Sequence, residues 1–153
     1  MNKNKISKTI KAALLGTCLF SASLQAQAET WKYALEEVKG DIQDIYAQEF
    51  KKRIESKTNG EVTVDIYYYG TLGTSADVTE LTADSALQFA NATPGHLGSF
   101  VPEVQLFSIP FILSDNDEVN KKLLTGSKAI FEDLTDDFDK RGIQLMTMYP
   151  EGS

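Results

Sequence analysis

From Thr30 to Tyr69 the apolar residues change period twice, and this alternation constrains the fold more than any other feature of the chain. In TWKYALEE, Thr30 to Glu37, the residues Trp31, Tyr33 and Leu35 share one side at period two, which predicts a strand. Gly40 and Asp41 then open a helix with Asp41 as N-cap. Within DIQDIYAQEFKKRIESKTNG the residues Ile42, Ile45, Tyr46, Phe50 and Ile54 recur at helical spacing, and Gly60 suits a C-terminal cap. EVTVDIYYYG returns to period two, with Val62, Val64, Ile66 and Tyr68 on one side and Thr63, Asp65, Tyr67 and Tyr69 on the other. Strands alternating with helices predict an α/β layer with a largely parallel sheet.

The rest of the chain continues the alternation. GTLGTS reads as a turn and SADVTELTADS as a short helix. ALQFANA is a buried strand running into a loop. VQLFSIPFIL is apolar but broken by Pro110, so its class stays open. SDNDE offers N-cap donors for a helix over about Glu118 to Leu124. A further helix starts near Ser127, carries Ala129, Ile130, Leu134 and Phe138 on one face, and ends at Gly142. IQLMTMY reads as a last strand. In open α/β sheets, ligands bind beyond the carboxyl ends of the strands. Those ends are the loops after Glu37, Tyr69, Ala92 and Tyr149.

The first 28 residues belong to no predicted element. Lys3, Lys5, Lys8 and Lys11 precede an apolar stretch from Ala12 to Leu24 and the small-x-small triplet Ala26-Gln27-Ala28. That order is a secretory signal peptide cleaved after Ala28. A lipoprotein signal would use Cys18 within LLGTC, where Thr17 is a poor neighbour. The domains are then 1–28, the signal peptide, and 29–153, one exported unit. Residues 1–28 carry four lysines and no acid, so the formal charge of −7 becomes −11 for Glu29 to Ser153. An acidic exported protein does not suit nucleic acid or an anionic membrane. Cys18 leaves with the signal, so no disulfide is available.

Catalytic chemistry finds little to work with. The chain holds one histidine, His96, within NATPGHLGSF. No G-x-S-x-G, H-E-x-x-H, cysteine cluster, phosphate loop or G-x-G-x-x-G is present, and SDNDE lacks the glycine and distal glutamate of a calcium loop. Glu36 and Glu37 are adjacent, and strand neighbours point to opposite faces, so the pair cannot flank one scissile bond. One of them facing a cleft could accept hydrogen bonds from a ligand; both could equally be solvated acids. His96 is open between a binding group and an exposed residue on a glycine-containing loop. Tyr68 reads as core, and Tyr69 is open between core and cleft mouth.

Several stretches taken together resemble a known family. WKYALEEVKGDIQDIYAQEFKKRIESKTNGEVTVDIYYYGTLGTSADVTE, ALQFANATPGHLGSFVPEVQLFSIPFIL and GIQLMTMYPEG, in that order, are similar to the solute receptors of TRAP (tripartite ATP-independent periplasmic) transporters, in the C4-dicarboxylate/ectoine-like subgroup of the DctP type. The likeness covers Glu29 to Ser153. It implies a two-lobed, periplasmic-binding-protein-like α/β receptor, of which this chain would be the first lobe, with the second lobe largely missing. It implies a monomeric, non-enzymatic periplasmic protein without a cofactor or metal. Such a receptor captures an organic acid or an ectoine-like zwitterion and hands it to membrane permease subunits driven by an ion gradient.

Residue by residue, the resemblance makes Glu37 a cleft-facing acid and His96 a ligand-lining residue at a position often aromatic in the family. Asn91 and Thr93 lie on the approach to the same loop, and Tyr69 at the cleft end of the second strand. The family's carboxylate-clamping arginine has no match here: Arg53 and Arg141 both fall on or beside helices. The expectation is therefore an amino-terminal part of a longer receptor. The competing expectations are a small secreted hydrolase using His96 or the carboxylates, and a binding protein for an ATP-driven importer.

Overall fold

A computed structural model describes residues 28–150. The predicted signal peptide, Ala28 apart, and the Cys18 alternative lie outside the described residues.

The two period changes become a strand–helix–strand unit. Strand β1 spans Glu29–Ala34, helix α1 Ile42–Lys57 and strand β2 Val62–Tyr67. β1 and β2 pair in parallel from Glu29 opposite Val62 to Ala34 opposite Tyr67. The chain then forms helix α2, Ser75–Ala83, and a two-residue strand β3, Phe89–Ala90, which pairs in parallel with the other side of β1. The order β2-β1-β3 makes β1 the central strand. The expected parallel α/β sheet is thus present, with β3 much shorter than ALQFANA suggested.

Each face of the sheet has its own helix. Phe50 of α1 stacks edge-on against Tyr33 and Phe89 at centroid distances of 5.5 and 4.9 Å, and Trp31 meets Phe89 at 5.4 Å. Ala34, pointing the other way along the strand, lines a shallow depression with Tyr67 and Val78 of α2. Ala34, Leu35, Ala47 and Val64 are buried between these layers.

α1 does not bury the stripe that its apolar spacing predicted. Ile45 and Tyr46 are largely exposed, whereas Gln43, Asp44 and Ala47 are buried. The buried polar pair is stable because it is hydrogen-bonded. Gln43 Oε1 accepts Glu36 N–H at 2.9 Å, and Asp44 accepts Gly40 N–H (2.8 Å), Tyr68 O–H (3.0 Å) and Gln48 Nε2–H (3.1 Å). Burial raises the Asp44 carboxyl, but these donors and the charge of Lys39 outweigh it and hold the group below the usual carboxylate range. Burial, then the neighbouring Asp44, raises the Tyr68 hydroxyl.

Beyond β3 every element is helical. A single turn α3 (Pro94–Leu97) and a 3-10 helix (Pro102–Ser108) lead to α4 (Asp117–Gly126) and α5 (Lys128–Asp139). VQLFSIPFIL is thus helical up to Ser108. Asn116 caps α4 and Ser127 caps α5 through their side chains. Leu134 and Phe138 join Leu97, Val101 and Val104 in a second core. Gly142 follows α5 with φ +77°.

The last predicted strand is absent. Residues 143–150 form no regular element, and Ile143, Leu145 and Met148 pack on the second core while Gln144 and Met146 face out. Period-two alternation records which side is buried, not whether a neighbour supplies a ladder. Past the 3-10 helix, Ile109, Phe111 and Ile112 are exposed, Phe111 completely and with φ +64°. Among the described residues no helix is long and apolar enough to cross a membrane.

Candidate functional site

The three parallel strands all end on one edge. β1 leads into Leu35-Glu36-Glu37, β2 into Tyr68-Tyr69-Gly70, and β3 into Asn91-Ala92-Thr93. The chain leaves β1 toward β2 on one side and returns to β3 on the other, so β1 and β3 bracket a topological switch point.

A reciprocal clamp sets the turn after β1. The side chain of Gln43 holds the Glu36 N–H, and Glu37 Oε2 accepts the backbone N–H of Gln43 at 3.2 Å. Asp41 occupies the N-cap position of α1 without a side-chain bond, so Glu37 serves the first turn instead. Tyr69 N–H donates to the carbonyl of Glu37 at 3.1 Å, which ties the β2 end to the same turn.

The clamp directs Glu36 across the switch point. Its side chain is only 5 % exposed, and Oε2 accepts the Thr93 backbone N–H at 2.7 Å. The same oxygen lies 3.1 Å from His96 Nδ1. Thr93 Oγ1 and Ser75 Oγ stand 3.2 and 3.3 Å from that nitrogen. One ring nitrogen is therefore ringed by three oxygens, from the loops after β1 and β3 and from the first residue of α2, while the His96 side chain as a whole is 57 % exposed. Glu36 is the group that the sequence did not single out. The sequence allows one acid of the Glu36-Glu37 pair to face a cleft and the resemblance makes it Glu37, and nothing local indicates that Glu36 has a partner 60 positions away.

The other expected residues distribute around this centre. Thr93 contributes both backbone and hydroxyl. Asn91 sits below the surface: its Oδ1 accepts the Tyr33 hydroxyl at 3.0 Å, and its backbone N–H donates to the Ala34 carbonyl. Asn91 Nδ2 is a buried nitrogen without a hydrogen-bond partner. Burial raises the Tyr33 hydroxyl, against the opposing bond to Asn91. Tyr69 is exposed at the rim of the depression formed by Glu36, Tyr67 to Ser75 and Val78. Thr74 and Asp77 close that rim through a capping box on α2.

The edge gathers carboxylates, hydroxyls, an imidazole and an aromatic ring, of which Glu36, Tyr69 and Ser75 line the shallow depression while Thr93 and His96 stand beside Glu36. No group of three potential ligands suited to a metal ion occurs among the described residues.

Comparison with known proteins agrees in kind. The family described as DctP, bacterial extracellular solute-binding protein family 7, matches residues 33–153. The ectoine/5-hydroxyectoine-binding periplasmic protein UehA of Ruegeria pomeroyi is 39 % identical over 147 residues, 96 % of this chain and 43 % of its own length. The ectoine-binding periplasmic protein TeaA of Halomonas elongata is 38 % identical over 148 residues, 97 % of this chain and 43 % of its own. The solved structure of the ectoine-binding protein of the Halomonas elongata TeaABC TRAP transporter aligns with a TM-score of 0.75 at 40 % identity, over 81 % of this chain and 39 % of that one. The chain thus spans less than half the length of these relatives.

Proposed function

The chain belongs to the DctP family of bacterial extracellular solute-binding proteins, and from that membership we propose that residues 29–153 supply the amino-terminal lobe of a TRAP-type receptor, exported by the signal peptide 1–28. The family is one of binding proteins, not enzymes. The relatives are periplasmic, and this protein works in the same compartment. It captures a small organic solute of the ectoine or organic-acid class and delivers it to the permease subunits of its transporter.

The observation that carries this reading is the convergence of Glu36, Glu37, Tyr69, Thr93 and His96 on one edge of the sheet, at its switch point. Capture by such a wall is non-covalent. Hydrogen-bond acceptors and an aromatic rim orient the solute, and closure of a second lobe against them supplies selectivity. In this reading Glu37 keeps one carboxylate oxygen on the helix and turns the other to the solute. His96, Thr93 and Tyr69 line the wall, and Asn91 supports it from below.

Calorimetric titration of ectoine and of succinate into the protein expressed from its own reading frame tests the proposal. Saturable binding of at least one is expected, weakened about tenfold by His96→Ala, a loss of about 1.4 kcal/mol. Heats unchanged by His96→Ala and by Glu37→Gln would remove these residues from the site.

A further inference from the structure

We propose that Glu36 is a positioning residue that fixes the neutral His96 ring with its proton on Nδ1, so that Nε2 presents a bare lone pair to the solute. The inference rests on the reading above that His96 lines the ligand site, and it names the chemistry the solute must bring there.

The argument starts from what each oxygen around Nδ1 can do. The hydroxyls of Ser75 and Thr93 can donate or accept, so they fit either form of the ring. An ionised carboxylate only accepts. Glu36 Oε2 cannot swing away to avoid a lone pair, because the same oxygen is held at 2.7 Å by the Thr93 N–H and its side chain is nearly enclosed. The Gln43 clamp on the Glu36 backbone fixes the approach from the other side. A contact of 3.1 Å to His96 Nδ1 is attractive only when that nitrogen carries the proton. A neutral imidazole has one proton, so Nε2 is then an acceptor. Among the described residues every hydrogen bond of the ring is made at Nδ1 and none at Nε2, and the side chain is more than half exposed.

The consequence is a specificity rule. At this point of the wall the protein accepts a solute N–H or O–H and repels a bare carboxylate oxygen. Ectoine, which joins an N–H-bearing amidinium to a carboxylate, would meet His96 with its nitrogen side. A simple dicarboxylate has no donor to give. An aromatic hydrocarbon ring in place of His96 would lack this discrimination, because it has no lone pair in its plane.

His96 is the one histidine of the given sequence, and in a long-range 1H–15N spectrum of the tag-free, uniformly 15N-labelled protein its ring is assigned by the signals that vanish in His96→Gln. At about pH 9 an ordinary imidazole is neutral. The expected spectrum has Nδ1 protonated and Nε2 bare, the reverse of the form that predominates in free histidine. Glu36→Ala should return the ring to the free-histidine form, whereas Glu36→Gln, whose amide oxygen can still accept, should keep the Nδ1 proton. Should Glu36→Ala fail to fold, the native protein and Glu36→Gln decide the matter. Added ectoine should shift the Nε2 resonance toward the hydrogen-bonded range.

A native ring protonated on Nε2 overturns the proposal, and so does a folded Glu36→Ala protein that keeps the Nδ1 proton. If ectoine moves backbone amides but not Nε2, the acceptor role is refuted while solute capture stands. If ectoine moves no signal, the proposed ligand class fails and the ring spectrum still decides the role of Glu36.

Discussion

Asp44→Asn should destabilise the protein by about 2 kcal/mol at neutral pH, for reasons that can be worked atom by atom. Asp44 Oδ2 accepts Gly40 N–H, and Oδ1 accepts Tyr68 O–H and Gln48 Nε2–H. Asparagine keeps one oxygen. If that oxygen faces the two side chains, the new NH2 confronts the Gly40 N–H, a backbone donor that cannot turn. The amide must therefore give its oxygen to Gly40 and leave Tyr68 and Gln48 to rotate into acceptors. Both can do so. What is lost is charge assistance: bonds to charged groups contribute about 1.5–3 kcal/mol and neutral bonds about 0.5–1.5 kcal/mol. Counting about 1 kcal/mol for each of the Gly40 and Tyr68 bonds gives about 2 kcal/mol, and Gln48 adds little because it is exposed. For a chain of this size that lowers Tm by roughly 6–10 °C.

The same residue predicts a pH signature. The folded-state carboxyl of Asp44 is held below the ordinary range. Its contribution is therefore complete above the unfolded value of about 3.9 and is lost as pH falls through the folded value. Urea denaturation of the native and Asp44→Asn proteins should show a constant stability gap from pH 7 down to about pH 4, closing only below it. A gap under about 0.5 kcal/mol at pH 7 would refute the three-donor account. A gap that closes between pH 7 and pH 5 would refute the depressed carboxyl.

Two further substitutions test the backbone around the site. Gly73 has φ +112°, and an added Cβ would stand 2.6 Å from Asp77 Oδ2, the oxygen that accepts Thr74 N–H and Oγ1–H. Gly73→Ala should cost about 2 kcal/mol in urea denaturation, and an unchanged midpoint would show that the capping box is not structurally important. Phe111, fully exposed at φ +64°, gains nothing visible from its ring, so Phe111→Gly should leave stability equal or raise it by about 1 kcal/mol. A lower midpoint would mean that the ring is covered in solution.

The sequence was legible where local order and burial coincide. The strand–helix–strand unit, the parallel sheet, the Ser127 and Gly142 ends of α5, and its Ile130, Leu134 and Phe138 face could all be read from spacing. Spacing failed where tertiary partners decide. In α1 it selected Ile45 and Tyr46 and passed over Gln43 and Asp44, because it scores side chains by polarity and cannot see donors such as Gly40 N–H and Tyr68 O–H. In residues 143–150 it found the alternating face and inferred a ladder for which the described residues offer no partner strand. His96 and Thr93 were visible as a loop at a strand end. Glu36 was not, since its role exists only after β3 returns beside β1.

That late return has a consequence for how the wall comes into being. The β1–α1–β2 unit closes over short loops, whereas the Glu36–Thr93 and Glu36–His96 contacts join positions 57 and 60 residues apart. β3 contributes only two residues of pairing to offset the entropy of that closure. Closure entropy alone therefore predicts that the proposed ligand wall forms after the β1–α1–β2 unit and opens before it, and amide exchange at Thr93 slower than in that unit would refute this. A solute that bridges His96 to the turn after β1 would act as a tie across the closure, and its binding free energy would add directly to the stability of the wall it occupies.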